Sequence, residues 1–356
     1  MTAVPMLQAD DVDAGVAWNY GDPFGEQRML AAGVGAVDLS HRGLVEVTGA
    51  DRLSWLDSLT SQLLLPLQPG DSAYDLLLDP HGRVEAELHL AVLEDRVLMG
   101  VEPGNAAAVV AFLERMRFML RVEVREVTAD WGTVWEPVRE AHPSLPSVLT
   151  PAVYAGLALP DVGADVSNYL ARQEESFCGR EVFVPRADLP AYLEGQAGLA
   201  GSWAWNALRI AAGVPRLGVE TDDRTIPHEV GWLGTAVHMK KGCYRGQETV
   251  AKVHNAGKPP RRLVLLRLDG SRDALPPHAA PVQIDGEQVG FIGMSVQHHE
   301  LGPIASAVVK RGLDPAATLE VDGVRASQQV IVNQDTRGRA QGSVGKVRMR
   351  MMGHGG

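Results

Sequence analysis

The chain has 356 residues, 45% hydrophobic and 22% charged, which excludes wholesale disorder and predicts two or three domains rather than one core. A formal charge of −11 argues against direct nucleic-acid binding, and no stretch approaches the roughly 20 uninterrupted apolar residues of a spanning helix. The acidic start, Met1 to Gly15, lacks the basic-then-apolar order of a secretory signal, so a cytoplasmic protein with no membrane partner is expected.

The predicted elements begin with a short strand, Leu44 to Thr48, followed by a helix that spaces Leu53, Leu56 and Leu59 along one face. Tyr74 to Asp79 and Arg83 to Leu93 read as two strands joined across Pro80-His81-Gly82, with Val84, Ala86, Leu88 and Leu90 alternating on one side. Arg96 to Val101 continues the sheet, Asn105 opens a helix through Phe118, and Arg121 to Val127 is a further strand. The segment near 130–165, rich in Pro, Ala and Gly, has the weakest periodicity and reads as a connector with short elements. Glu181 to Val184 is a strand, and Leu189 to Gln196 and Trp203 to Ala212 are helices, the second stopped by Gly213 and Pro215. From Arg261 on, strand-like runs alternate with Gly, Pro and Asp turns, as in a small antiparallel barrel. The last residues, 336–356, read as a flexible basic tail.

Charge is unevenly spread. Lys240 to Arg262 holds seven Lys and Arg against one acid, Glu248. The chain from Arg337 adds five basic residues and no acids, which leaves −22 on the remainder. A concentrated basic segment on an acidic body points to one local anion site, for a carboxylate or a phosphate. Inside it lies the octet Lys241-Gly242-Cys243-Tyr244-Arg245-Gly246-Gln247-Glu248. Its two glycines let the backbone turn sharply or approach a ligand closely. Lys240, Lys241 and Arg245 surround Cys243, a setting that favours thiolate over thiol. Cys178 and Cys243 are the only cysteines, too few for a disulfide framework or a four-ligand metal site. The spacings of His81, His238 and His254 match no standard metal motif, so no stable metal site is expected.

The octet resembles the signature of the YgfZ family of folate-binding proteins, relatives of the glycine cleavage system T-protein (aminomethyltransferase). The resemblance extends along most of the chain. Ala36 to Ser40, Gly179 to Pro185, Ala207 to Gly213, Ile226 to Glu229 and Glu300 to Ala305 are each similar to a T-protein segment. It implies an α+β, T-protein-like, three-lobed folate-binding fold: a folate-binding region over 1–260 in two α+β lobes, a small antiparallel β-barrel over 261–335, and the tail. It also implies tetrahydrofolate or a derivative as cofactor, and iron–sulfur enzymes or cluster-assembly proteins as partners. The role would be an accessory one in iron–sulfur cluster assembly or repair, with an indirect effect on tRNA modification. By the same resemblance Glu181 is the pterin-reading carboxylate, since one carboxylate can accept from both an amino group and the ring N–H beside it. Arg209, Glu229, Lys241, Tyr244, Gln247 and Glu248 are further candidate folate contacts, and Cys243, expected to face the folate cavity, is the candidate reactive thiol.

Each of these residues also has a plainer reading. Glu181 could be a solvated strand-end carboxylate, Arg209 a salt-bridged helix arginine, Glu229 a cap, and the basic run a solvated edge. One departure from the T-protein stands out. Its Asp-Asp pair, aligned through Gly82, falls on Ala86 and Glu87, and strand alternation sends those two to opposite faces. This counts against aminomethyl transfer, which remains an alternative, as does a non-catalytic interaction module on the same fold.

Overall fold

In the computed structural model the described residues, 12–155, 162–164, 166 and 169–334, form three sheets. The first is built from β2 (Gly43–Thr48), β3 (Ser72–Leu78), β4 (Val84–Val92), β5 (Arg96–Val101) and β6 (Glu123–Glu126). It is antiparallel throughout, in the order β3-β4-β5-β2-β6. Alternation divides its side chains. Val45, Val47, Ala86, Leu88, Leu90, Val97 and Met99 face α2 (Arg52–Leu59) and α3 (Ala106–Met116), and pack on Trp55, Leu56, Val109 and Leu113. Leu44, Tyr74, Leu76, Leu78 and Leu98 face the other way, into the core shared by all three sheets. The β3–β4 turn is made by Asp79, whose Oδ1 accepts from the N–H groups of His81 (2.7 Å) and Arg83 (2.8 Å).

The second sheet runs β10-β1-β7-β9-β8, from β1 (Ala36–Asp38), β7 (Trp131–Glu136), β8 (Ser147–Leu149), β9 (Arg180–Pro185) and β10 (Leu199–Ala200). β10 is parallel to β1 and the other pairs are antiparallel. The stretch expected to be a connector thus contains the central strand of a sheet. β7 is hidden because it is buried on both faces, so Gly132 to Glu136 shows no alternation to read. On this sheet lie α1 (Pro23–Ala31), α4 (Leu189–Glu194) and α5 (Ser202–Ala211). α1 was not legible from periodicity. It starts at Asp22, whose Oδ1 accepts from the Gly25 N–H at 2.9 Å, with Pro23 as first residue.

α6 (Pro227–Val230) and α7 (Gln247–Ala256) lead into the third sheet. It is a closed barrel in the order β11-β14-β13-β12-β15-β16. Its strands are β11 (Arg261–Leu268), β12 (Pro281–Ile284), β13 (Glu287–His298), β14 (Gly302–Lys310), β15 (Leu319–Val321) and β16 (Val324–Val330). Alternate residues such as Val264, Leu266, Ala305, Ala307, Val321 and Ala326 fill the interior. Leu263, Leu265, Ile304 and Val308 point outward into the central core, where α5 packs against β13 and β14. The α+β character and the antiparallel C-terminal barrel are therefore as the sequence led one to expect. The tail at 336–356 lies outside the described residues. Among the described residues no helix is long and apolar enough to cross a membrane.

Candidate functional site

The octet is half loop, half helix: Gly246, at φ +83°, caps α7, which begins at Gln247. Its anchors are buried. Lys241 Nζ donates to the carbonyls of Asp57 (2.5 Å), Thr60 (2.8 Å) and Gln62 (2.5 Å), with the Asp57 carboxylate 3.6 Å away. It thus supplies donors at the end of α2, where carbonyls have no partner within the helix. Tyr244 packs in the central core with Leu76, Leu78, Val84 and Val250, and the ammonium of Lys241 lies 5.4 Å from its ring centre. Gly246 meets the β3–β4 turn backbone to backbone. A Cβ there would sit 2.6 Å from the Asp79 carbonyl oxygen and 2.9 Å from Gly82 Cα. Arg245 pairs with Glu85 of β4 at 2.7 Å.

Between these anchors Cys243 is exposed, and Gly242 beside it has open space around it. The thiol expected to face the folate cavity lies at the surface. Glu248 is exposed in the first turn of α7, where a carboxylate complements the helix dipole, and Gln247 is half-buried. Beneath the loop is Asp75, fully buried on β3. Its Oδ1 accepts from Gln62 N–H and Leu76 N–H, each at 2.7 Å, while Oδ2 has no partner among the described residues. Burial pushes its carboxyl up to about 6, against the lowering pull of its hydrogen bonds and of Lys241.

Glu181 lies elsewhere, in a buried charge network that sequence reasoning missed. Its Oε1 accepts from Arg42 at 2.8 Å and its Oε2 contacts His89 Nδ1 at 2.8 Å. Arg42 also reaches Glu102 (3.0 Å), and Glu102 pairs with Arg216 (2.7 Å). Arg216 continues to Asp13 and Asn206. Asn206 accepts from Arg209 Nε at 2.7 Å, and Arg209 pairs with Glu220 at 3.0 Å, which in turn accepts from the Ser306 hydroxyl of β14. Glu181 and Arg209 are thus joined through one network, and Arg209 is fully buried within it, holding α5 to the barrel. The guanidinium groups of Arg42, Arg209 and Arg216 lie 5.1–5.8 Å from the Trp205 ring centre. Burial alone would raise the Glu181 carboxyl, but the charges of His89 and Arg42 outweigh it and hold it below its usual value. For His89 burial works downward, and Glu181 and then Glu87 overcome it, lifting the imidazole to about 9. Glu102 is held at about 2 because Arg216 and Arg42 outweigh its burial.

The face of β4 that carries His89 also carries Glu87, while Ala86 lies with the helices on the opposite face, as alternation requires. Glu87 is buried, and among the described residues its one ion-pair contact is His89 Nε2 at 3.5 Å. Arg42, Glu87, His89, Gly100, Val101 and Glu102 close on one another and leave no room for a water molecule between them. Glu229 is a cap and a tie. Its Oε2 accepts from the Ile226 N–H at 3.2 Å, and both oxygens accept from Arg261 at 2.8 Å, linking α6 to the first barrel strand. Among the described residues no group of three or more His, Cys, Asp and Glu side chains is arranged to hold a metal ion.

Comparison with known proteins gives these features a setting. Residues 22–135 match the GCVT N-terminal domain family. An aminomethyltransferase of Frankia alni is 28% identical over 325 residues, covering 83% of this chain and 84% of that protein. One from Geobacillus kaustophilus is 29% identical over 304 residues, covering 80% and 81%. A chloroplastic transferase-like protein of Arabidopsis thaliana is 25% identical over 278 residues, 72% of this chain. The match spans 61% of that plant protein, less than two thirds of its length. Among solved structures, the glycine cleavage system aminomethyltransferase T of Bartonella henselae aligns with a TM-score of 0.70 at 20% identity, covering 92% of this chain and 93% of that one. The chain has the fold of the glycine cleavage T protein, and residues 22–135 of it match the GCVT N-terminal domain.

Proposed function

We propose that the chain is a tetrahydrofolate-binding accessory protein of the YgfZ type, acting in iron–sulfur cluster assembly or repair and affecting tRNA modification only through iron–sulfur enzymes. Its working parts would be a folate-binding region over 1–260, the barrel over 261–335 and the tail beyond. The observation that carries the reading is the presentation of Cys243. Lys241 and Tyr244, on either side of it, are buried and tied to α2 and the core, while the cysteine is exposed. A thiol held outward on a fixed support suits exchange with a macromolecular partner, and thiolate is the usual protein ligand of iron–sulfur clusters.

The donors available to a folate are consistent with this reading in a revised form. Glu181 has both oxygens committed to Arg42 and His89. Glu87 is the neighbouring carboxylate with acceptor capacity left, and Arg42 Nε and Trp205 Nε1 are buried N–H groups without a partner. A pterin would be read by Glu87 once the side chains that close around it part, with Glu181 keeping the His89 imidazolium and the Arg42 guanidinium in place. Folate, when bound, would supply a one-carbon carrier. The chain's own residues would orient it and exclude water.

Aminomethyl transfer is the second reading, favoured by the names of the relatives. It requires a short carboxylate at a position where this chain has Glu87, one methylene longer than aspartate, and a displacement on the order of 1 Å can cost about a hundredfold in rate. Calorimetric titration with 5-formyl-tetrahydrofolate tests the folate half: binding by the wild type and weakened binding by Glu87→Gln are expected. No binding by the wild type would remove folate from the proposal. Cys243→Ser is expected to bind folate normally and to lose complementation of iron–sulfur enzyme activity in cells lacking the protein. Full complementation would remove the thiol. Turnover of an aminomethyl-lipoyl donor by the wild type would favour the second reading instead.

A further inference from the structure

Arg262 is the second residue of β11, paired with Val309 of β14. Alternation along β11 puts it on the same side as Val264, Leu266 and Leu268, which fill the barrel interior. It is 0% exposed. Its Nη2 donates to the Gln328 side-chain oxygen at 2.7 Å and to the Leu313 carbonyl at 3.3 Å, whereas Nε and Nη1 have no partner among the described residues. The contrast with Arg261 is direct. One residue earlier, pointing out of the barrel, Arg261 is matched by two carboxylates, Asp222 and Glu229. No carboxylate among the described residues pairs with Arg262. The acid nearest its mouth in sequence, Asp314, has its Oδ1 on the Ala316 N–H.

A guanidinium stays charged at any physiological pH, and a buried charge without a counter-charge is destabilising. Burial lowers the Arg262 pKa with no carboxylate to offset it. Proteins avoid such a group unless something completes it. We propose that the interior mouth of the barrel, where Arg262 and Gln328 meet beside the turn at Leu313, is a binding site for a small oxyanion, a phosphate or carboxylate group. The buried, unpartnered N–H groups of Arg262 receive the anion, and the Gln328 oxygen holds the guanidinium in position. This site is separate from the signature loop and from the Glu181 network and does not depend on the folate reading.

The test uses the full chain and inorganic phosphate, with acetate as the carboxylate arm and sodium chloride at matched ionic strength as the reference. Above its Kd, each tenfold rise in a bound anion should lift Tm by about 2 to 4 °C. That rise is expected in wild type and absent from Arg262→Met, which keeps the stem volume and removes the charge. Without added oxyanion, Arg262→Met should melt at or above the wild type, because it deletes an uncompensated charge. A response to phosphate alone, or to acetate alone, identifies which oxyanion the site takes. An equal response of wild type and variant to both anions would overturn the proposal, since general salting effects act on both. So would no response of the wild type. If Arg262→Met does not fold, broadening of the phosphate ³¹P resonance by wild type, reduced by competing sulfate, reads the site directly. A resonance of unchanged width would then refute it.

Discussion

Lys241→Met should damage the fold more than any other change in the signature loop. The ammonium has three N–H donors, and all three meet carbonyls, those of Asp57, Thr60 and Gln62 at 2.5–2.8 Å. Two of these oxygens belong to the end of α2, whose last carbonyls have no helical partner. The side chain of Lys241 is fully buried, so Met leaves the three oxygens without their donor in a region closed to solvent. Each unmatched buried acceptor costs about 1 to 3 kcal/mol. Against that stands the desolvation of the ammonium, which Met no longer requires and which burial already makes visible as a lowered Lys241 pKa. The net loss expected on breaking such a buried charged contact is about 3 to 5 kcal/mol. Urea unfolding should show it as a lower midpoint at unchanged m-value. Cys243→Ser, two residues on and exposed, should change stability by no more than about 0.5 kcal/mol. A Lys241→Met loss below about 1 kcal/mol would mean that water or a rearranged α2 end satisfies those carbonyls, and the assignment of Lys241 as an anchor would fail.

Asp75, lifted by burial to about 6, has a folded-state pKa above its unfolded one, so its stabilising share is present at low pH and is lost as pH rises through 6. Asp75→Asn should remove a loss of about 3 kcal/mol between roughly pH 4 and pH 7, read as a flatter difference in urea midpoint against the wild type. A parallel pH profile for the two proteins would refute it. His89, lifted to about 9 by Glu181 and Glu87, contributes stability that is complete below its unfolded value near 6.5 and lost as pH rises through 9. Glu181→Gln should lower the His89 pKa, measured by the imidazole NMR shift, and an unmoved titration would contradict the pairing. Gly246→Ala places a methyl group against the backbone of Asp79 and Gly82 at positive φ. It should cost at least about 1 kcal/mol and make the loop more open to limited proteolysis; wild-type resistance would count against the close approach.

The parts of the fold legible in the sequence are those where the two faces of an element carry different chemistry. Arg83 to Leu93 alternates because one side of β4 packs on α2 and α3 and the other carries Glu87 and His89. The barrel strands are marked by turns and apolar runs, β16 least of all. Its Ser327, Gln328 and Gln329 weaken the apolar signal because they serve contacts, among them Gln328 to Arg262 and Gln329 to Arg267. β7, covered on both sides, had no pattern to offer. The charge network was illegible for a different reason. Arg42 and Glu181 are 139 positions apart, and Arg216 and Glu102 are 114 apart. No sequence window relates such partners, and each alone reads as a solvated charge.

The octet was legible because glycines, a cysteine and basic residues stand together, but packing accounts for most of that pattern. Lys241 is required by the carbonyls it meets, Tyr244 by the core, and Gly246 by the approach of the β3–β4 turn, which Gly82 permits from its own side. Each of these positions would be constrained in a protein with no activity at all. Cys243 is different. It is exposed, its neighbour Gly242 is unconfined, and nothing in the packing calls for a thiol there. The fold therefore explains the anchors of the loop without explaining the residue they hold out, and the functional weight of the octet falls on Cys243. A search for chemistry in this region should begin with what that thiol meets outside the chain, since the residues around it are already occupied with holding it in place.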